Sequence, residues 1–240
     1  MLIIPAIDLR EGQCVRLIQG DPRQTTVFSD DPVEMAKKWV DMGAPMLHLV
    51  DLDGAFVGAP QNLEVVHQIA EAVEVPLQLG GGIRSMEMVQ KVMDAGVERV
   101  ILGTAAIAEP DLVQAACREH GERIAVGIDS KDGLVAVEGW ESTVEKTFLE
   151  LGQEVKDWGV TRIIFTDTRR DGTMKGPNIE STRLVAEKLG LKIIAAGGVS
   201  DMNDLFSLKE LEAVGLEGVI IGKALYMGTV DLEEAIRLLK

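Results

Sequence analysis

The sequence is poor in cysteine, histidine and aromatic residues. It contains two cysteines and three histidines, and aromatic residues make up 4% of the chain. Cys14 and Cys117 match no metal-ligand spacing, and two thiols make a poor disulfide framework. Clustered His and Cys ligands and a nucleotide-binding glycine fingerprint are both missing, so we expect no metal and no other cofactor.

Basic residues and long apolar runs are also scarce. The 24 lysines and arginines face 39 acidic residues, for a net charge of −15. Nucleic acids and anionic membranes both call for a basic surface, so neither is expected as a partner. No apolar run approaches the roughly 18–20 residues that span a bilayer, and the first eight residues do not resemble a signal peptide. These features predict a cytoplasmic protein, and they still allow a small anionic ligand held by backbone amides and a few arginines.

What the sequence does contain is an internal repeat. Asp8, in Ala-Ile-Asp-Leu-Arg-Glu-Gly, is matched 121 positions later by Asp129, in Gly-Ile-Asp-Ser-Lys-Asp-Gly. Two further matches, at offsets of 116 and 119, join Gly81-Gly82-Ile83 to Gly197-Gly198-Val199, and Val100-Ile101-Leu102-Gly103 to Val219-Ile220-Ile221-Gly222. An offset of about half the chain is too long for a solenoid and indicates a duplicated half-domain.

Short apolar runs alternate with longer amphipathic stretches. The runs show little in–out alternation, which is typical of parallel strands covered on both faces. Strands are predicted at 2–8, 46–51, 76–79, 99–102, 124–129, 162–167, 192–196 and 218–221. Helices are predicted at 32–42, 62–73, 86–95, 110–120, 145–158, 179–189, 202–213 and 231–239.

Eight strand–helix units predict an α/β fold of the (β/α)8 TIM-barrel class, forming one domain over residues 1–240. A doubly wound open sheet is the competing architecture. The half-chain repeat favours the barrel, because two four-unit halves can close on each other. We therefore predict a barrel built from two half-barrel repeats.

Two acidic residues are the first candidates for catalysis. Asp8 and Asp129 end predicted strands 1 and 5, and the longest predicted loops, about 9–30 and 130–144, follow them. In a barrel these strand ends lie on opposite sides of one mouth, a geometry suited to one general acid and one general base. An aspartate that merely caps a turn is as good an explanation for either residue alone. The duplicated context favours catalysis for both.

Four glycine turns form two matched pairs after predicted strands 3, 4, 7 and 8. The first pair contains Gly81, Gly82, Gly103 and Thr104, and the second contains Gly197, Gly198, Gly222 and Lys223. Glycine lets backbone N–H groups approach an anion closely, and the last two loops of a barrel often bind phosphate. A single turn of this kind would only indicate a tight bend. Two matched pairs predict a substrate with a phosphate at each end.

Other candidates lie close to these motifs. Thr166 ends strand 6 and could hydrogen-bond a substrate hydroxyl, while Asp171 belongs to an Asp-Gly turn at the same mouth. Arg16 and Arg84 could pair with a phosphate or a carboxamide. His48 falls inside strand 2, where a packed core residue is the more common explanation.

Several segments together resemble the phosphoribosylformimino-aminoimidazole-carboxamide ribotide isomerases of histidine biosynthesis. In chain order they are Ile4-Pro5-Ala6-Ile7-Asp8-Leu9, Cys14-Val15-Arg16-Leu17, Gly20-Asp21, Val50-Asp51-Leu52-Asp53-Gly54-Ala55, Gly80-Gly81-Gly82-Ile83-Arg84 and Asp171-Gly172-Thr173. The resemblance covers essentially the whole chain.

This resemblance implies an aldose–ketose isomerase that carries out an Amadori rearrangement on a bisphosphorylated substrate without a cofactor. It implies Asp8 as the base and an aspartate across the barrel as the acid. Asp129 and Asp171 both fit the second role, and the sequence does not decide between them. We expect a monomer.

Three alternatives remain at this point. The cyclase subunit of imidazole glycerol phosphate synthase is a close relative, but its first strand typically carries a cysteine before the aspartate and Val-Lys after it. Ala6 and Leu9-Arg10 stand at those positions and favour the isomerase. A bifunctional isomerase that also accepts phosphoribosylanthranilate is the second alternative, and a non-catalytic sugar-phosphate binding module is the third.

Overall fold

Short β-branched runs form the strands and the amphipathic stretches between them form the helices. The computed structural model describes residues 1–137, 139–140 and 142–240. The strands are β1 Leu2–Arg10, β2 Gln13–Ile18, β3 Asp21–Ser29, β4 Leu47–Asp51, β5 Leu77–Gly80, β6 Arg99–Leu102, β7 Ile124–Lys131, β8 Leu134–Val137, β9 Ser142–Thr147, β10 Arg162–Asp167, β11 Lys192–Ala196 and β12 Leu216–Ile221.

The helices alternate with the barrel strands. They are α1 Pro32–Asp41, α2 Leu52–Val57, α3 Leu63–Ala72, α4 Met86–Asp94, α5 Ala105–Ala108, α6 Pro110–His120, α7 Phe148–Asp157, α8 Ile179–Leu189, α9 Met202–Lys209, α10 Lys223–Tyr226 and α11 Leu232–Leu239. The predicted helix 202–213 is shorter than expected, because α9 ends at Lys209 and a 3-10 turn continues over Glu210–Val214. No helix in the described ranges is long and apolar enough to cross a membrane.

Eight of the strands close into a barrel. Their order is β1-β4-β5-β6-β7-β10-β11-β12, β12 pairs back with β1, and every pairing in this circle is parallel. The predicted (β/α)8 fold is therefore confirmed, and each of these strands starts and ends within two residues of the predicted bounds.

The two long loops predicted at 9–30 and 130–144 contain strands that the sequence analysis did not predict. Within 9–30, β2 pairs antiparallel with the extended end of β1 and β3 pairs with β2. From residue 130 onward, β8 pairs with β7 and β9 pairs with β8, while Glu138 and Glu141 lie outside the described residues. Because β9 continues to Thr147, the helix predicted at 145–158 begins only at Phe148. Each hairpin continues a barrel strand beyond the mouth, so its strands gain backbone partners that an isolated loop would lack.

The core has two parts, which lie inside and outside the circle of strands. The inner cluster is small and consists of Ile4, Ala6, Met46, Ile101, Ala125, Ile164, Ile194 and Ile220. The larger cluster lies between the strands and the helices and includes Trp39, Leu47, Leu79 and Phe165. Inward-facing residues alternate with outward-facing ones along each strand. The next inward-facing positions beyond the inner cluster therefore lie at the mouth of the barrel.

The two halves share a polar frame as well as a fold. At the end of β4, Asp51 accepts a hydrogen bond from Asn62 Nδ2 at 2.7 Å. At the end of β10, Asp167 accepts one from Asn178 Nδ2, also at 2.7 Å. The two pairs are 116 positions apart, like the glycine turns. Asp51 also accepts from the backbone of Gly54, which fixes the turn into α2.

Candidate active site

A cavity opens at the carboxyl ends of the barrel strands. Every residue that the sequence placed at the site lines it: Asp8, Arg16, Gly81, Gly82, Arg84, Gly103, Thr104, Asp129, Thr166, Asp171, Gly197, Gly198, Gly222 and Lys223. The cavity therefore brings the acidic residues and both pairs of glycine turns to one place.

Asp8 lies on the β1 side of the mouth and is paired with a cation. Its side chain accepts a hydrogen bond from Arg16 Nη1 at 2.7 Å, and Arg16 Nη2 donates to the carbonyl of Ala6 at 2.9 Å. Antiparallel pairing of β1 with β2 places Arg16 next to this carboxylate. Burial raises the pKa of Asp8, and the charge of Arg16 opposes that rise. The result is an oriented carboxylate that is more basic than one in water.

Asp129 lies at the corresponding place on β7 and has neutral partners. Trp140 Nε1 donates to its Oδ2 at 2.8 Å, and Thr166 also hydrogen-bonds it. Thr166 is its neighbour in register on β10. Burial raises the pKa of Asp129, and the two hydrogen bonds oppose that rise. No pattern in the sequence pointed to Trp140, whose indole reaches back from the β8–β9 turn.

Asp171 comes from the loop after β10 and approaches both other carboxyl groups. Burial raises its pKa to about 6, Arg16 opposes the rise, and Asp8 and Asp129 add to it. A carboxyl group with this pKa is partly protonated near neutral pH and can donate a proton.

The turns around the mouth touch one another. A side chain at Gly20 would collide with the Trp140 ring, and one at Gly172 would collide with the carbonyl of Leu17. Gln19 Nε2 donates to the carbonyl of Arg169 at 2.8 Å, which ties the β2–β3 turn to the loop that carries Asp171. These contacts hold the loop that carries Asp171 over the cavity.

The first pair of glycine turns is packed tightly against its own half of the barrel. Gly81 and Gly82 have φ values of 117° and 72°, which L side chains rarely adopt. A Cβ at Gly82 would collide with the carbonyl of Gly54. Gly103, in contrast, has open space where a side chain would stand. Arg84 is exposed beside this pair, and its guanidinium packs on Gly58.

The second pair repeats this arrangement with different neighbours. Gly197 and Gly198 have φ values of 89° and 90°. A side chain at Gly222 would collide with the guanidinium of Arg16, so Arg16 touches both Asp8 and this glycine turn. Lys223 Nζ donates to the carbonyl of Gly172 at 2.9 Å, which links this turn to the Asp171 loop. Phosphate binding by Arg16, Arg84 and Lys223 stays a prediction.

Two more residues, one beside Arg16 and one at the cavity, were missed or misjudged from the sequence. Tyr226 lies beside Arg16, whose guanidinium carbon is 5.6 Å from the ring centroid, and its hydroxyl donates to the carbonyl of Ala6 at 3.2 Å. His48 was expected to be a packed core residue, but it lines the cavity. Its position on β4 faces the inside of the barrel, and the strand register would have shown this orientation. Within the described residues, no group of three His, Cys, Asp or Glu side chains could hold a metal ion.

Comparison with known proteins agrees with this geometry. The family described as "Histidine biosynthesis protein" matches residues 2–231. The chain belongs to the histidine biosynthesis protein family.

Members of this family with similar sequences come from several bacteria. A protein of Pelotomaculum thermopropionicum is 58% identical over 98% of this chain and 91% of its own length. Proteins of Moorella thermoacetica (56% identical, 98% of this chain and 97% of theirs) and Syntrophotalea carbinolica (51%, 100% and 99%) are also similar. All three are named 1-(5-phosphoribosyl)-5-((5-phosphoribosylamino)methylideneamino)imidazole-4-carboxamide isomerase.

Proposed function

We propose that this chain is an aldose–ketose isomerase that catalyses the Amadori rearrangement of the formimino-aminoimidazole-carboxamide ribotide in histidine biosynthesis. The observation that carries the proposal is the cavity, which holds three carboxyl groups between two matched pairs of glycine turns. The names of its relatives support the same reaction. They give no support to the cyclase alternative or to a non-catalytic binding module.

In this proposal the ribose ring opens and the sugar then tautomerises, both by acid–base catalysis. A general acid protonates the ring oxygen of the ribose, the C1–O bond breaks and a protonated Schiff base forms. A general base then removes the C2 proton, and the resulting enolamine tautomerises to the C2 ketone. Each transfer by a positioned side chain typically gives ~10²–10⁴-fold. No step requires a redox partner, because the hydrogen lost at C2 is balanced by the one gained at C1.

Asp8 is our candidate for the base. Its carboxylate is held by Arg16 at 2.7 Å and is 8% exposed, so it is both oriented and poorly solvated. Positive charge next to the group keeps it ionised, while burial keeps it basic.

Asp171 is our candidate for the acid. Its pKa of about 6 leaves a fraction of the group protonated near neutral pH, whereas the hydrogen bonds from Trp140 and Thr166 oppose the rise that burial causes in the pKa of Asp129. We assign Asp129 and Thr166 to orienting the sugar.

The two pairs of glycine turns would bind the two phosphates. Their backbones come close to the cavity without side chains in the way, and Arg84 and Lys223 add positive charge, one beside each pair. Anchoring both ends would hold the sugar between Asp8 and Asp171, which supplies orientation as well as affinity.

Two buried free cysteines and a biosynthetic family fit our further proposal of a cytoplasmic enzyme.

A direct assay tests the function. Purified chain is mixed with the aminoaldose bisphosphate without ammonia, and the absorbance change on isomerisation is followed. Turnover supports the isomerase, and none under conditions that keep the chain folded would contradict it. A parallel assay with phosphoribosylanthranilate tests the bifunctional alternative.

The same assay identifies the acid. The variants D129N and D171N are compared over a range of pH. If Asp171 is the acid, D171N loses the descending limb of the pH profile as well as most of the rate, while D129N keeps the limb. The reverse result would assign the acid to Asp129.

A further inference from the structure

A line of hydrogen bonds runs down the inside of the first half-barrel, from the cavity toward the opposite end. Its members are His48, Gln78 and Arg99, which are lateral neighbours in the registers of β4, β5 and β6. All three occupy inward-facing positions. His48 stands opposite Ala6 in register, one inward-facing position deeper than Asp8.

The lower end of the line fixes the orientation of the Gln78 amide. Arg99 Nη1 donates to Gln78 Oε1 at 2.9 Å. A guanidinium has donors and no acceptor, so it can face only the oxygen of that amide. Gln78 is 0% exposed, and the reversed amide would place its NH2 group against Arg99 with no water to intervene. The amide nitrogen must therefore point the other way.

The upper end of the line then fixes the proton of His48. Gln78 Nε2 lies 3.1 Å from His48 Nδ1. Because Nε2 of the amide is a donor, Nδ1 must accept, and a neutral imidazole that accepts at Nδ1 carries its proton on Nε2. Burial, with a further contribution from the charge of Arg16, lowers the pKa of His48 to about 3, in keeping with a neutral ring.

We propose that Arg99, acting through Gln78, holds His48 in the tautomer protonated on Nε2, so that His48 presents a hydrogen-bond donor to an oxygen of the sugar in the cavity. His48 would be a catalytic residue, and Gln78 and Arg99 would be positioning residues. The substrate contact rests on the proposed function, whereas the tautomer does not depend on it.

The second half-barrel offers a natural contrast. Ile164 and Ile194 stand 116 positions after His48 and Gln78, so the line has no counterpart there. The polar line was therefore not required by the duplicated fold. A chain of three polar residues inside the barrel, in one half only, is more easily explained by a role at the site than by stability.

The tautomer is measured directly by ¹⁵N NMR of the imidazole nitrogens, because protonated and unprotonated ring nitrogens have widely separated shifts. The H67Q/H120Q background removes the other histidines, which lie on helices outside the barrel. Wild-type residue 48 should show a protonated Nε2 and an unprotonated Nδ1 between pH 5 and pH 8. A protonated Nδ1 would overturn the proposal without any variant.

Three variants test the line itself. Q78E replaces the donor that faces Nδ1 by an acceptor and should protonate Nδ1. R99M and Q78L release the constraint and should populate both tautomers. R123M is the matched control. Arg123 donates to backbone carbonyls near the amino-terminal ends of the strands and does not reach Gln78. It should leave the spectrum unchanged. A wild-type spectrum for R99M and Q78E would overturn the proposal.

Kinetics tests the contact with the substrate. Q78E should lower kcat/KM about tenfold or more. His48 Nε2 would then be an acceptor facing the sugar oxygen, which is also an acceptor. R99M should have a smaller effect, and R123M none. The expected tautomer combined with wild-type kinetics for Q78E would overturn the role of His48 as a donor. If wild-type protein does not isomerise the substrate at all, the proposed function fails, and the NMR result still decides the tautomer.

Discussion

In the first half of the barrel Asp8 faces a guanidinium, whereas in the second half Asp129 faces an indole N–H and a hydroxyl. Arg16 lies eight residues after Asp8, and Val137 stands eight residues after Asp129. The turns, the glycines and the Asp–Asn frame are nevertheless repeated. The difference teaches that duplication supplied two equivalent aspartates, and that neighbouring side chains then made them chemically unequal.

The largest expected effect comes from removing the carboxylate of the first half. D8N should lower kcat by ~10²–10⁴-fold, because the amide cannot accept the C2 proton. Asp8 also neutralises the charge of Arg16, so D8N should lower the free energy of unfolding by ~1–3 kcal/mol. Rates from the isomerisation assay and urea unfolding measure the two effects.

The control for D8N is D157N, on the exposed surface of α7, which should change neither quantity. Near-normal turnover by D8N would remove Asp8 from the mechanism and would make the halves less different than we argue.

The next effect concerns Asp171, which lies between the two halves. Its pKa is about 6 in the folded protein and near 3.8 when exposed, so the folded state binds this proton more tightly. The resulting destabilisation is absent below pH 4, grows as pH rises from 4 to 6, and is complete above that. D171N should therefore stabilise the protein at pH 7, by at most about 3 kcal/mol, while abolishing most activity.

Thermal unfolding of wild type and D171N at pH 4 and pH 7 checks this sign. The difference between the two proteins should appear mainly at pH 7. A difference that is larger at pH 4 would show that the carboxyl group is not held in its protonated form.

A third prediction tests whether the Asp51–Asn62 pair of the first half and the Asp167–Asn178 pair of the second half contribute equally to stability. N62A and N178A each remove a donor from a carboxylate, and each should cost ~1.5–3 kcal/mol of unfolding free energy. N62A should be the more damaging, because Asp51 is fully buried. Q153A, which removes an exposed amide bonded to Asp157, is the control. A negligible cost for both variants would mean that the frame reflects ancestry alone.

The smallest effect comes from adding one methyl group to matched glycines. G222A displaces the guanidinium of Arg16 from its place beside Asp8 and should lower kcat about tenfold. G103A adds its methyl group in open space at the other glycine turn, so it should raise KM with little change in kcat or stability. Equal kinetics for the two variants would contradict the inequality of the halves.

The sequence predicted the barrel well because its strands are buried on both faces. Apolar runs such as 162–167 and 192–196 need no information from elsewhere in the chain, and their bounds match the structure. The strand β3, Asp21–Ser29, was missed because it is polar and largely exposed, so its backbone pairing with β2 defines it. Pairing between hairpin strands is not visible in a hydrophobic pattern.

The site was predictable to the extent that it is repeated. Asp8, Asp129 and the glycine turns stood out because they recur. Trp140 and the line from His48 to Arg99 occur in one half only, and their contacts join residues that lie 11, 30 and 21 positions apart. A single sequence gives no reason to connect such residues until the register of the strands is known.

The circle of strands has one more consequence, at the two seams where the halves meet. One seam joins β6 to β7 and the other joins β12 to β1, both through parallel backbone pairs. A half on its own would leave both of its outer strands as open sheet edges, which readily pair with other chains. The halves are thus expected to open as one cooperative unit, with the seam amides exchanging their hydrogens together at the free energy of global unfolding.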